Sequence, residues 1–193
     1  LQGVVEVAPT DHGAALAAVT ERAATARGLF VDFTLDGKVV APSREVLAVE
    51  ADDELFTERG PWLIGFVREA LLSASDRRRG GVHHTDPALA AEIAGLAIEL
   101  LGRRHDEIVV VDPAVGGGVF LLAVAERLEA DPAEVVNHLH GCDVDPMAVA
   151  VTRAALTIWS GGIEPPPAHL QVTDYLDPMT SFPGADLVIG NPP

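Results

Sequence analysis

The sequence is poor in the residues that mark several large classes of protein. Cys142 is the single cysteine among 193 residues, which excludes an internal disulfide and a cysteine-rich zinc module. No apolar run approaches the roughly 18 to 20 residues that a membrane span needs. No basic stretch followed by a short apolar core stands at Leu1. We therefore expect a cytoplasmic protein that makes no membrane contact.

Positive charge is also scarce. Thirteen Lys and Arg residues oppose 29 Asp and Glu residues, which leaves a formal net charge of −16 at pH 7. Such a surface repels phosphate backbones at long range, so the charge taken alone argues against nucleic-acid binding. Hydrophobic residues make up 48% of the chain, as in ordinary folded proteins, and the length suits one large domain with an appendage.

The first 78 residues predict a small α+β segment whose role the sequence does not reveal. A helix is predicted from about Ala14 to Ala26, and Asp36-Gly37 between apolar runs indicates a hairpin. A second helix is predicted over residues 62–74, with Pro61 in its first turn. Its apolar face is predicted to hold Leu63, Val67, Ala70 and Ala74. A linker rich in arginine and glycine places the domain boundary near Arg79.

Residues 79–193 alternate predicted helices and strands. The predicted strands cover residues 108–111, 139–144, 170–173 and 186–189. A helix begins behind Thr85, Asp86 and Pro87 and ends near Gly102, with apolar residues in helical spacing at Leu89, Ile93, Leu96 and Leu100. Two more helices are predicted, one from about Phe120 and one over residues 146–159. This alternation predicts an α/β fold of the Rossmann-like, doubly wound type with a parallel sheet.

A glycine cluster and an acidic strand end indicate a ligand site. Gly116, Gly117 and Gly118 come after the first strand of the predicted sheet, where such folds bind ligands and where glycine lets the backbone approach closely. About 30 residues on, Asp143 ends the second strand and is a candidate for binding ribose hydroxyls, while Asp145 suits a helix N-cap. A dinucleotide fingerprint would place a third glycine where Leu121 stands, which argues against NAD.

Two sequence motifs indicate which family this pattern resembles. Residues 112–121 read D-P-A-V-G-G-G-V-F-L, and the chain ends in Asn191-Pro192-Pro193. The first matches D-P-A-x-G-x-G-x-F-L at each fixed position, and the second matches the start of [D/N/S]-P-P-[Y/F/W]. In this order the chain resembles the amino-methyltransferases that use S-adenosyl-L-methionine, most closely the adenine-N6 DNA methyltransferases. The resemblance covers residues 79–193 and implies the first four strands of their sheet.

The resemblance also implies roles for individual residues. The amino-acid end of the cofactor would lie against Thr85, Asp112, Ala114, Gly116, Gly118 and Phe120. Asp143 would bind the ribose, Val144 would pack on the adenine, and Asp174 with its neighbour Tyr175 would meet the adenine amino group. Asn191 and the Pro192 carbonyl would bind the amino group that is methylated, with Pro193 stiffening the loop. Two acceptors direct the lone pair of that amine toward the sulfonium methyl.

The chain departs from the family pattern in two places. The segment before the first helix, usually aromatic-Thr-Pro, reads His84-Thr85-Asp86-Pro87. The aromatic residue that normally comes after the second proline and stacks on the target base is missing, because the chain stops at Pro193. We therefore expect a piece of a longer protein, whose catalysis needs residues beyond Pro193.

Three alternating residues are candidates for metal binding. His138, His140 and Cys142 share one face of a predicted strand and have ligand chemistry that zinc accepts. That face turns onto a flanking helix, where a satisfied core histidine is the commoner outcome. The expectation is that the protein holds no metal.

Several functions stay open from the sequence alone. The first is methylation of adenine N6 in DNA in a restriction-modification or phage-defence setting, with a C-terminal recognition region supplying the positive surface. The second is methylation of glutamine side chains of a protein such as a release factor, which suits the acidic charge better. An RNA or small-molecule methyltransferase and a non-catalytic cofactor-binding module of a larger complex are the others.

Overall fold

The computed structural model describes residues 11–72, 85–102 and 107–192, and its N-terminal part is mostly helical. Helix α1 (His12–Ala26) begins after its N-cap Asp11, two residues before the predicted start near Ala14, and ends at Ala26 as predicted. Strands β1 (Thr34–Leu35) and β2 (Lys38–Val39) form the predicted hairpin, whose turn residues Asp36 and Gly37 have φ of 50° and 72°. A short helix α2 (Arg44–Leu47) leads to α3 (Asp53–Leu71).

Helix α3 corrects the prediction for residues 62–74. It begins nine residues earlier than predicted, at Asp53 behind the N-cap Asp52, so Pro61 lies inside the helix and not in its first turn. Packing outweighs the lost backbone hydrogen bond, because Gly60 lies close against Ala23 of α1. Its buried residues include Phe56, Trp62, Leu63, Ile64 and Val67, whereas the predicted core residue Ala70 is exposed and Ala74 lies outside the described residues.

The remaining elements show the predicted alternation. They are α4 (Pro87–Leu101), β3 (Val110–Asp112), α5 (Val119–Arg127), α6 (Pro132–Val136), β4 (Leu139–Asp143), α7 (Pro146–Trp159), a 3-10 turn (Pro167–His169), β5 (Leu170–Val172) and β6 (Leu187–Val188). Acidic N-caps fix several helix starts: Asp86, Asp131 and Asp145 each accept a hydrogen bond from a backbone N–H two residues on, just after a proline at the first helical position.

The four strands β3 to β6 form one parallel sheet in the order β5-β4-β3-β6. Val110 of β3 lies opposite Leu139 of β4 on one side and Leu187 of β6 on the other. The chain order therefore reverses at β3, and the loops after all four strands meet at the same edge of the sheet. This confirms the α/β, doubly wound fold class.

Helix α4 turns a different face to the core than its leucines suggest. Leu96 and Leu100 are 62% and 86% exposed, and Leu89 and Ile93 are exposed too. The buried face consists of Ala90, Ala94 and Ile98, which pack toward α5. Small residues occupy the buried face of α4 because they let two helices approach each other closely.

One hydrophobic core joins the N-terminal helices to the sheet. It includes Leu16 of α1, Ile64 of α3, Leu121 of α5 and Leu156 of α7. Helix α3 packs on both α1 and α7. The predicted boundary near Arg79 lies outside the described residues and stays a prediction. Among the described residues, no helix is both long and apolar enough to cross a membrane.

Candidate functional site

A cavity of about 700 Å³ opens at the carboxyl edge of the sheet. The loops after β3, β4, β5 and β6 and the last turn of α3 form its walls. The predicted site residues on these walls are Thr85, Ala114, Gly116, Phe120, Asp143, Val144, Asp174, Tyr175, Asn191 and Pro192. The fold thus brings most of the predicted site together, although these residues span more than a hundred positions of the chain.

The glycine loop after β3 is shaped by two residues in the left-handed region. Gly116 and Gly118 have φ of 53° and 82°, and Gly118 is the N-cap of α5. Gly118 does not line the cavity; a Cβ there would meet Thr152 of α7 at 3.2 Å. Its part in the site is to turn the chain so that the first amides of α5 lie at the cavity.

Asp143 at the end of β4 is held in place by two backbone amides. Its Oδ2 accepts a hydrogen bond from Gly116 N at 3.0 Å, and its Oδ1 accepts one from Asp145 N at 2.9 Å. Each carboxylate oxygen keeps a second lone pair that a hydroxyl can use. Asp143 therefore connects the glycine loop to the end of β4, and its carboxylate oxygens can accept hydrogen bonds from a ligand.

Asp112 lies beneath the cavity and not on its wall. It is 1% exposed, and its Oδ1 accepts a hydrogen bond from Ala114 N at 2.9 Å. Burial raises the pKa of this carboxyl to about 7, against the lowering effect of that hydrogen bond, and the Asp143 charge raises it further. A Cβ on Gly190 would lie 2.5 Å from Asp112 Oδ1. The predicted contact of Asp112 with the cofactor stays a prediction.

The cavity lining combines apolar side chains with hydrogen-bond acceptors. Val144 and Tyr175 line it, and the Tyr175 ring stacks on Phe182 with centroids 6.1 Å apart. The last described sheet bond joins Ile189 N to Val111 O, and Asn191 comes two residues later at the mouth of the cavity. Pro193 lies outside the described residues, as does His84.

Helix α3 supplies a wall that the sequence reasoning missed. A Cβ on Gly65 would lie 2.5 Å from Gly117 O, so the helix packs backbone to backbone on the glycine loop. One turn later, Arg68 and Glu69 border the cavity, and Arg68 Nη2 donates to Asp145 Oδ2 at 2.6 Å. The only sequence signal was an arginine among the apolar residues of α3, which an exposed position would have explained equally well.

The charge of the cavity is mostly negative. Its described lining includes the carboxylates of Glu69, Asp143, Asp145 and Asp174, and Arg68 is the one Lys or Arg side chain in that lining. Such a cavity favours a ligand that carries positive charge. S-adenosyl-L-methionine has a sulfonium and an ammonium group, so its charge suits these walls.

The three candidate metal ligands, His138, His140 and Cys142, do not line this cavity. His140 is buried with its ring 4.0 Å from that of His169, and burial lowers the pKa of His140 to about 4. Burial also raises the pKa of the Cys142 thiol to about 11. Within residues 11–72, 85–102 and 107–192, no group of three or more His, Cys, Asp or Glu side chains could hold a metal ion.

Comparison with known proteins gives two matches. The sequence model of a family described as N-6 DNA methylase matches residues 64–193. Among solved structures, that of the type IIG restriction endonuclease BpuSI is similar with a TM-score of 0.58 and 17% identity over 98% of this chain. This chain spans 25% of the length of that one, and the likeness concerns the fold. No curated protein matches the sequence.

Proposed function

The chain belongs to the N-6 DNA methylase family, and on this premise we propose that it forms the cofactor-binding part of a DNA methyltransferase. The reaction transfers the sulfonium methyl of S-adenosyl-L-methionine to N6 of adenine. The family assignment favours DNA over the protein-glutamine, RNA and small-molecule substrates and over a non-catalytic module. A restriction-modification role in the cytoplasm fits this reaction.

One observation carries the proposal. A single cavity holds the glycine loop, the Asp143 carboxylate and the Asn191-Pro192 acceptors, so the groups for the cofactor and for the target amine face one space. A dinucleotide site would need the first two but not a pair of acceptors at its mouth.

The residues present fit S-adenosyl-L-methionine. Asp143 keeps acceptor capacity for the ribose hydroxyls, and the exposed side chains of Val144 and Tyr175 offer apolar surface for the adenine ring. Asp174 Oδ1 accepts a hydrogen bond from Leu176 N at 2.9 Å, which leaves Oδ2 for an amino group of the cofactor. The bound cofactor would supply an electrophilic methyl group.

The chain's own part in the reaction is to orient the amine. The Asn191 side-chain carbonyl and the Pro192 backbone carbonyl accept hydrogen bonds from the target NH2 and turn its lone pair toward the methyl group. Adenine in a duplex reaches these acceptors only when it is flipped out of the stack. Because the net charge of −16 repels phosphate backbones at long range, we propose that the positive surface for DNA lies outside this chain.

Two variants of the full protein separate the two halves of the site. Asn191→Ala should abolish methyl transfer to adenine-containing duplex DNA and leave S-adenosyl-L-methionine affinity, measured by calorimetry, nearly unchanged. Asp143→Ala should weaken cofactor binding first. Equal loss of binding and transfer in the Asn191 variant would contradict the role assigned to that residue, and unchanged affinity in the Asp143 variant would contradict the ribose contact.

A further inference from the structure

Arg68 lies at the end of the cavity next to the glycine loop. It stands one turn after Gly65, where α3 touches Gly117, and its guanidinium reaches Asp145 at the start of α7. The arginine thus spans the gap between the loop after β3 and the loop after β4. Thr85, which the family resemblance places near the methionine part of the cofactor, borders the same cavity.

The Arg68 guanidinium makes fewer hydrogen bonds than it has donors for. The Arg68 side chain is 4% exposed, and Nη2 makes an ion pair with Asp145, but Nε and Nη1 are buried and have no hydrogen-bond partner among the residues that the structure describes. A buried donor left unpaired loses its hydrogen bonds to water and gains none in return, which is unfavourable. Arginines persist in such places when another anionic or acceptor group completes them.

The charges of the cavity and of the cofactor indicate which group completes the hydrogen bonds of Arg68. Every other charged side chain in the described lining is a carboxylate, so Arg68 is the group there that attracts an anion. S-adenosyl-L-methionine has one anionic group, the carboxylate of its methionine part. Its sulfonium and ammonium groups suit the acidic walls, whereas its carboxylate would be repelled by them without a cation nearby.

On these grounds we propose that Arg68 binds the carboxylate of S-adenosyl-L-methionine. The end of α3, which lies before the segment 79–193 predicted from the sequence but inside the family match over residues 64–193, then forms part of the cofactor site. This inference rests on the proposed function. Because Nε and Nη1 are also closed off from water, the contact requires a change of the Arg68 rotamer, a common adjustment at binding sites. The ion pair with Asp145 keeps the guanidinium at the cavity in the absence of ligand.

Arg68 also has a structural contact, so the test must separate the two roles. Asp145 caps α7, and its backbone N–H binds Asp143, so loss of Arg68 could disturb the ribose contact for any cofactor. Decarboxylated S-adenosylmethionine distinguishes the roles, because it keeps the ribose, adenine and sulfonium and lacks only the carboxylate.

The experiment measures the affinity of the full protein for both ligands by calorimetry. Wild type should prefer S-adenosyl-L-methionine, and Arg68→Met should lose about tenfold to a hundredfold in affinity for it, the range expected for a charged hydrogen bond. The affinity of that variant for the decarboxylated ligand should change by less than about threefold, within the effect of an ordinary surface substitution. Arg22→Met is the matched control, since Arg22 binds the carbonyls of Val49 and Ala51 away from the cavity.

The outcomes are distinct. Equal loss for both ligands would show that Arg68 only supports Asp145 and would overturn the proposal, as would an undiminished preference for S-adenosyl-L-methionine in Arg68→Met. Wild type that binds neither ligand would overturn the proposed function itself. If Arg68→Met does not fold, Arg68→Gln, which keeps a hydrogen-bond donor, is judged by the same criteria.

Discussion

The contact of α3 with the glycine loop predicts how two helix glycines differ. A Cβ on Gly65 would lie 2.5 Å from the carbonyl oxygen of Gly117, and backbone cannot rotate away. A Cβ on Gly95 of α4 would meet the end of the Arg127 side chain at 3.3 Å, and this side chain can move. Both glycines lie inside helices, so the gain in helix propensity on substitution by alanine, about 1 kcal/mol, is common to the two.

The difference in the free energy of unfolding between the two variants therefore measures the effect of the contact between α3 and the glycine loop. Gly95→Ala should be neutral or raise the free energy of unfolding by up to about 1 kcal/mol. Gly65→Ala should be less stable than Gly95→Ala by about 1–3 kcal/mol, the cost of overpacking. Urea denaturation of the full protein, monitored by circular dichroism, measures both free energies.

Cofactor affinity gives a second readout of the same change. Gly65→Ala displaces the loop that carries the cavity amides and should weaken S-adenosyl-L-methionine binding, while Gly95→Ala should not. If the two variants agree in stability within about 0.5 kcal/mol, the spread of uneventful substitutions, and bind the cofactor equally, then α3 does not rest on the loop and the reasoning is wrong.

Two further predictions concern Asp112 and the two faces of α4. Because Asp112 has a pKa of about 7 in the folded protein and 3.8 as its reference, the folded state binds the extra proton between these values, and this group lowers stability as pH rises from about 4 to 7. Asp112→Asn should remove that decline, at most about 1.4 kcal/mol per pH unit, and thermal unfolding over this range would show it; an unchanged profile would contradict the burial of the charge. On α4, Leu96→Gln should change stability by less than about 0.5 kcal/mol, whereas Ala94→Leu should cost about 1–3 kcal/mol. The reverse order in denaturant unfolding would mean that the leucine row faces the core.

The sequence predicted the sheet and indicated most of the residues that meet at the cavity, because their signals are local. Gly116 and Gly118 can adopt left-handed backbone that other residues avoid, Asp145 has the position and chemistry of an N-cap, and Asp36-Gly37 has the composition of a hairpin turn. Each of these depends on a few neighbouring residues. The parallel sheet was predictable from the alternation of strands and helices.

The features that were missed depend on contacts between distant segments. Proline is common in the first turn of a helix, so Pro61 indicated a helix start. Only the packing of Gly60 on Ala23 shows why α3 continues through this residue. Helix α4 has apolar residues in helical spacing on two faces, the row of leucines and the face of small residues. The spacing alone could therefore not show that the small residues are the buried ones. Arg68 lies 77 residues from its partner Asp145, a pairing that no local pattern encodes.

The buried carboxyl of Asp112 lies between two loops to which the proposed function gives different reactants. Its Oδ1 accepts a hydrogen bond from Ala114 N in the glycine loop, and a Cβ on Gly190, the residue before Asn191, would lie 2.5 Å from the same oxygen. In the proposed reaction, the same side chain therefore sets the distance between the methyl donor and the acceptors of its target. A longer acid at position 112, or any side chain at position 190, would push the two loops apart, so in related proteins these two positions should change together or not at all.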